Sequence, residues 1–229
     1  MTSAPDPATD ASGHRARLRQ RLIEGGPEAL LDHELIEYLL ALAIPRRDTK
    51  PMARSLLAEF GGLGPLLSAD VGALARTGLS EGVVATLKIA EASALRLLRT
   101  RTSDRPILSD WQALADYLHA DMAHRAVERV RVLHLNSKNV LIRDELVSEG
   151  SIDQAAVHVR EIIRRALELG SAALIMVHNH PSGDPEPSRQ DISLTRELIS
   201  AGKPLGITVH DHIIVGSKAQ ASLRALGLI

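Results

Sequence analysis

The chain has 229 residues, enough for one large domain or two small ones. Hydrophobic residues make up 45% of it and aromatic residues only 2%, so its core is aliphatic and stacking platforms for single-stranded nucleic acid are nearly excluded. A net charge of −1 provides no global basic field for a phosphate backbone, and the absence of cysteine excludes disulfide and thiolate chemistry and favours a cytoplasmic protein.

Residues 1–13 are rich in Pro, Ser and Thr and poor in large apolar groups, and read as a disordered tail. No secretory signal or membrane-spanning run is visible. From His14 to about residue 100 the periodicity is helical. A basic helix at 15–24 ends at Gly25-Gly26-Pro27. Asp32 caps a helix at 34–43, and Pro45 follows it. Asp48 or Thr49 starts another, with Pro51 in its first turn and Gly61-Gly62 after it. Short helices at 63–67 and 69–75 and a long one at 79–99 complete an all-α domain. Thr77 to Gly82 resembles a helix-hairpin-helix turn, which holds duplex phosphate by its amides. Ser80 stands where a second glycine is usual, and Glu81 brings a negative charge. DNA association through residues 14–100 is therefore expected to be weak. The cluster Arg15, Arg17, Arg19 and Arg21 reads as a solvated face.

Residues 99–106 read as a linker. A second domain over 107–229 follows, with a helix at 109–126 and strands at 129–135 and 140–146 about the turn 136–139. A loop at 151–157, a helix at 157–169, an apolar strand at 172–177, a helix to about 200 and a strand at 208–215 complete it. That order gives an α/β/α sandwich around a mixed sheet.

The strand at 172–177 runs into His178-Asn179-His180-Pro181. Alternate strand residues share a face, so both imidazoles leave on one side. Ser188 and Asp191 follow at the start of a helix. Taken alone, Ser188-x-x-Asp191 is a capping-box pattern. The two readings are compatible, because Asp191 can face an ion while Ser188 caps. Two imidazoles and one carboxylate are the ligand set of a catalytic zinc with one open position. For a proton acceptor the spacing leaves Glu128, Glu145, Glu149 and Glu161 open.

The spacing His-x-His-x7-Ser-x2-Asp resembles the JAMM motif of the MPN/JAB metallopeptidases, and residues 178–184 resemble the RadC branch of that superfamily, a likeness that extends over most of the chain. The resemblance implies an MPN/JAB-like fold and a Zn2+ held by His178, His180 and Asp191. It also implies Ser188 as oxyanion donor and a catalytic glutamate at the start of a strand that follows a helix. Glu128 occupies that place, with Glu145 as runner-up. Asp211 and His212 resemble an Asp-His pair carried by RadC-like chains, and are read as orienting the ligands. His210 and His212 could share a strand face. The implied activity is hydrolysis of a peptide or isopeptide. The competing classes are a hydrolase of small amides and a non-catalytic DNA-associated or partner-binding protein.

Overall fold

The computed structural model describes residues 7–103, 106–107, 111–150 and 157–229. It divides into two compact units, Met1–Ser93 and Ala94–Ile229. None of the described helices is long and apolar enough to cross a membrane.

The first unit holds α1 (Pro7–Gly25), α2 (Asp32–Ala43), α3 (Lys50–Phe60), α4 (Leu63–Ser68), α5 (Val71–Arg76) and the start of α6 (Glu81–Ser103). Ile36, Leu40, Leu56, Leu66, Leu74 and Leu87 form its core. Each such side chain stabilises the fold by about 1.5–3 kcal/mol relative to exposure. Asp70 caps α5 by accepting from the Ala73 amide at 2.7 Å. Gly61 closes α3 in the left-handed region, at φ 84°.

Two expectations are corrected here. The tail over 1–13 is helical from Pro7, because proline at the first helical position forfeits no bond and its fixed φ suits the turn; residues 1–6 lie outside the described residues. The linker at 99–106 begins as helix, because nothing between Val83 and Arg105 is a glycine or proline and α6 continues to Ser103.

Two of the four arginines on α1 are engaged within the unit, while Arg17 and Arg19 are exposed. Arg15 donates to the carbonyls of Ile44, Pro45 and Arg47 beyond the end of α2. Arg21 makes a two-pronged pair with Glu34, at 2.7 and 3.0 Å. At the turn between α5 and α6, Gly78 takes φ 80°, and the Ser80 carbonyl accepts from Val83 and Val84 at the start of α6. Glu81 thus lies in the first helical turn, where a carboxylate complements the helix dipole and competes with phosphate. The full chain is expected to bind a random duplex only weakly, with affinity falling steeply as salt rises, since each neutralised phosphate steepens that dependence. Anisotropy titrations at several salt concentrations measure this, and tight binding persisting above physiological salt would reverse it.

The second unit is built on a five-stranded sheet of order β2-β1-β3-β4-β5. Its strands are β1 (Glu128–Leu135), β2 (Leu141–Gly150), β3 (Ala173–Asn179), β4 (Thr208–Val215) and β5 (Gln220–Ser222). All neighbours are antiparallel except β3 and β4. That parallel pair needs a crossover, which α9 (Arg189–Gly202) supplies. On one face α7 (Trp111–Met122) packs Leu114, Leu118 and Met122 against Leu133, Ile175, Val177 and Ile213. On the other, α8 (Val159–Glu168) and α9 pack Ile162, Ala166 and Leu198 against Val132, Leu174, Met176 and Val209. β3 is covered on both sides, which explains why its sequence is a continuous apolar run rather than an alternating one. The strand runs two residues past the expected Val177 and carries His178 and Asn179 within the sheet. The expected loop at 151–157 lies, apart from Val157, outside the described residues.

Candidate metal centre

His178 and His180 leave β3 on the α9 face of the sheet. His178 is 1% exposed, while the His180 side chain keeps 18%. After Pro181 the chain turns through Gly183, at φ 84°. A Cβ there would stand 2.7 Å from Ser217 Oγ, so only glycine lets this turn lie against the loop after β4. The turn delivers Ser188 to the N-cap of α9.

The capping box is present. Ser188 Oγ accepts from the Asp191 amide at 3.1 Å, and Asp191 Oδ2 accepts from the Ser188 amide at 2.8 Å. The Ser188 hydroxyl also donates to Oδ2, at 2.6 Å. One carboxylate oxygen is thereby committed to the cap. The other, Oδ1, lies 3.3 Å from His178 Nε2. The two Nε2 atoms are 2.9 Å apart, and His180 Nε2 is 3.7 Å from Asp191 Oδ2. Ligands of a tetrahedral zinc at 2.0–2.1 Å stand about 3.3 Å from one another; the spacings of His178 Nε2 to His180 Nε2 and to Asp191 Oδ1 lie near that value, and one donor atom from each of the three residues falls within 4.8 Å of the others.

Hydrogen-bond partners assign the tautomers. The Asp184 carbonyl can only accept, so His180 Nδ1 donates to it at 2.8 Å and Nε2 presents a lone pair. Thr195 gives its one proton to the Asp191 carbonyl at 2.6 Å, and so accepts from His212 Nδ1 at 2.6 Å. Burial, reinforced by the neighbouring His178, lowers the His212 pKa to about 3 and keeps that ring neutral. His212 Nε2 therefore accepts from His178 Nδ1 at 2.7 Å, which turns the lone pair of His178 Nε2 into the site. Two lone pairs and a carboxylate oxygen this close repel one another unless a cation stands among them. Among the described residues this is the only group of three or more His, Cys, Asp or Glu side chains arranged to hold a metal ion. The donor set suits zinc.

The electrostatics agree. Burial depresses the His178 pKa, opposed by the Asp191 charge. Burial works to raise that of Asp191, but the His178 ring and the Ser188 hydrogen bonds outweigh it and hold the carboxylate ionised. Both groups are thus in the forms a metal ion requires.

The centre opens into a cavity of about 1050 Å³ lined by Glu128, Ser188 and the three candidate ligands, with Val130, Met176 and Leu194 as its apolar wall. Burial and then the Asp191 charge raise the Glu128 pKa above the ordinary carboxylate value, and His180 opposes them. The other three glutamates are engaged elsewhere. Glu145 pairs with Arg165 at 2.9 Å, Glu149 with Arg129 at 2.6 Å and Glu161 with Arg164 at 2.9 Å, and none of them lines the cavity. Glu145, the runner-up, therefore lies away from the cavity.

Asp211 bonds neither the His178 nor the His212 ring. Its carboxylate accepts from Ser222 Oγ, from the Arg224 amide and from the His212 amide, tying β4 to the chain beyond β5. A bulge between the Leu174–Val209 and Ile175–Asp211 pairs inserts His210 as an extra residue. His210 consequently bonds Asn139 Oδ1 at 2.7 Å instead of sharing a face with His212. Thr195 was not singled out from the sequence. Its spacing four residues beyond Asp191, on the same helix face, was the available signal.

Residues 108–228 match the model of the RadC-like JAB domain. The chain is similar to a UPF0758 protein of Rhodobacter capsulatus, 51% identical over 213 residues that cover 93% of this chain and all of that protein. It is also 50% identical over 217 residues to a UPF0758 protein of Ruegeria pomeroyi, covering 94% of this chain and 97% of that one.

Proposed function

This chain belongs to the RadC-like JAB domain family, and from that premise we propose that it is a zinc-dependent hydrolase of peptide or isopeptide amides. One observation carries the reading. Three metal-competent donor atoms converge on a cavity that is also lined by Glu128, a carboxylate of raised pKa.

His178 and His180 would hold the ion through Nε2 and Asp191 through Oδ1. Zinc in such a setting supplies Lewis acidity, lowering the pKa of a water to about 7 and polarising a carbonyl. Every further step falls to the chain. Glu128 accepts a proton from the attacking water, and its partly buried setting keeps that proton available for the departing nitrogen. The apolar wall of Val130, Met176 and Leu194 excludes bulk water and takes an aliphatic part of the substrate. Ser188 lies at the rim with its proton directed to Asp191 Oδ2. When the carbonyl oxygen gains charge, a rotation about the Cβ–Oγ bond redirects that proton toward it, while the Ser188 amide keeps Asp191 in place.

The test is hydrolysis by the full chain loaded with zinc, assayed by mass spectrometry on a peptide mixture and on lysine isopeptides. Cleavage abolished by a chelator and restored by zinc supports the reading. Failure on both bond types with the metal bound overturns it.

A further inference from the structure

The residue between the two histidines has no part in the mechanism above, yet it is buried, at 1% exposure, and fully hydrogen-bonded. Asn179 Oδ1 accepts from the Arg129 amide at 2.9 Å, and its Nδ2 donates to the Val127 carbonyl at 3.1 Å. These two backbone groups flank Glu128.

The strand register explains the arrangement. The ladder between β1 and β3 has its last pair at Val130 and His178. One residue further, the β3 backbone turns toward β4, where the His180 amide donates to the Val215 carbonyl at 3.0 Å. The start of β1 would then lose its partner on that side. A primary amide carries one acceptor and a donor on a planar group, as a peptide unit does, and the Asn179 side chain extends the ladder where the main chain has left it. Val130 faces His178, and period-two alternation puts Glu128 on that same face. Fixing positions 127 and 129 thus fixes where the Glu128 carboxylate enters the cavity.

We propose that Asn179 is a positioning residue that holds Glu128 against the metal centre by hydrogen-bonding the backbone on both sides of it. The inference rests on the metal-centre reading given above. A shift of even 1 Å in a proton acceptor is costly to proton transfer, so the device ties the acceptor to the same strand that carries the two histidines. Asparagine suits the position better than aspartate, whose carboxylate accepts from Arg129 but cannot donate to Val127.

Cobalt(II) is the probe. In the full chain loaded with Co2+, the visible absorption is followed against pH for wild type, Glu128→Gln, Asn179→Ala and Asn179→Leu, with cobalt stoichiometry and melting temperature measured in parallel. Removing a carboxylate beside the ion eases formation of negative charge there, so Glu128→Gln lowers the pH midpoint by on the order of one unit. Asn179→Ala is expected to reproduce at least half of that shift with cobalt still bound, and Asn179→Leu, an uncharged side chain of similar size that makes neither bond, to do the same. A generic packing defect lowers the melting temperature and leaves the midpoint alone. Asn179→Ala at the wild-type midpoint while Glu128→Gln is shifted overturns the proposal and spares the metal centre. So does loss of cobalt from Asn179→Ala, since the residue would then be holding the histidines instead. If Asn179→Ala does not fold, Asn179→Leu decides by the same comparison. Failure of the wild type to bind cobalt overturns the metal reading itself, and a midpoint unmoved in Glu128→Gln overturns the choice of base.

Discussion

Glu128→Gln is expected to leave the zinc content unchanged and to lower amide hydrolysis by ~100-fold or more, the usual cost of losing a general base. Glutamine has the shape of glutamate and can accept a hydrogen bond from water, but it cannot take the proton. Zinc content is spared because Glu128 is not among the three converging donors. The pH dependence distinguishes this role from a packing role. Burial and the Asp191 charge raise the Glu128 pKa, so wild-type activity is lost as pH falls through a value above the ordinary carboxylate range, where the base becomes protonated. Residual activity in Glu128→Gln should lack that acidic limb. Because Glu145 is paired with Arg165 and lines no part of the cavity, Glu145→Gln should retain nearly full activity. Full activity in Glu128→Gln beside an inactive Glu145→Gln would reverse the assignment.

The sequence made some of these features visible and hid others, for physical reasons. His178, His180, Ser188 and Asp191 were legible because strand alternation and helix capping are local rules that act within a few residues. Capping and coordination even divide one carboxylate between them, Oδ2 to the cap and Oδ1 to the site. Glu128 was one of four candidates by spacing, and only the β1–β3 register brings it beside His180 while leaving Glu145 against Arg165. The expectation that His210 shares a face with His212 failed because period two was extended through a bulge, which no local signal announced. Asn179 and Thr195 were hidden for a different reason. Each bonds a partner from a distant segment, 50 to 52 residues away for Asn179 and 17 for the Thr195–His212 bond. In the helical unit the period-3.6 pattern located the core, but the helix ends depended on features the pattern does not contain, as Pro7 and the unbroken run to Ser103 illustrate.

The purified chain is expected to bind about one zinc per molecule, since among the described residues one site offers the ligand count of a catalytic zinc. His178→Ala and His180→Ala should each leave two donors and lose most of the metal after dialysis. Asp191→Ala is less clean, because it also removes the half of the capping box in which Asp191 Oδ2 accepts from the Ser188 amide, and its zinc loss must be read beside its melting temperature. Thr195→Val gives a graded case. It leaves all three ligands in place but removes the acceptor of His212 Nδ1, so the tautomer that turns the His178 lone pair into the site is no longer enforced. Zinc affinity should then fall, by less than the roughly 10–100-fold usual for losing a partner bonded directly to a ligating histidine, since Thr195 acts one bond further out. A competition titration against a chelator of known affinity, together with elemental analysis, measures the whole series. An ordering with wild type tightest, Thr195→Val intermediate and the histidine variants weakest follows from the chain of bonds running from Thr195 through His212 to His178. Equal zinc retention by wild type, His178→Ala and His180→Ala would eliminate the site. Wild-type affinity in Thr195→Val would show that neutral His212 holds its tautomer without help from α9.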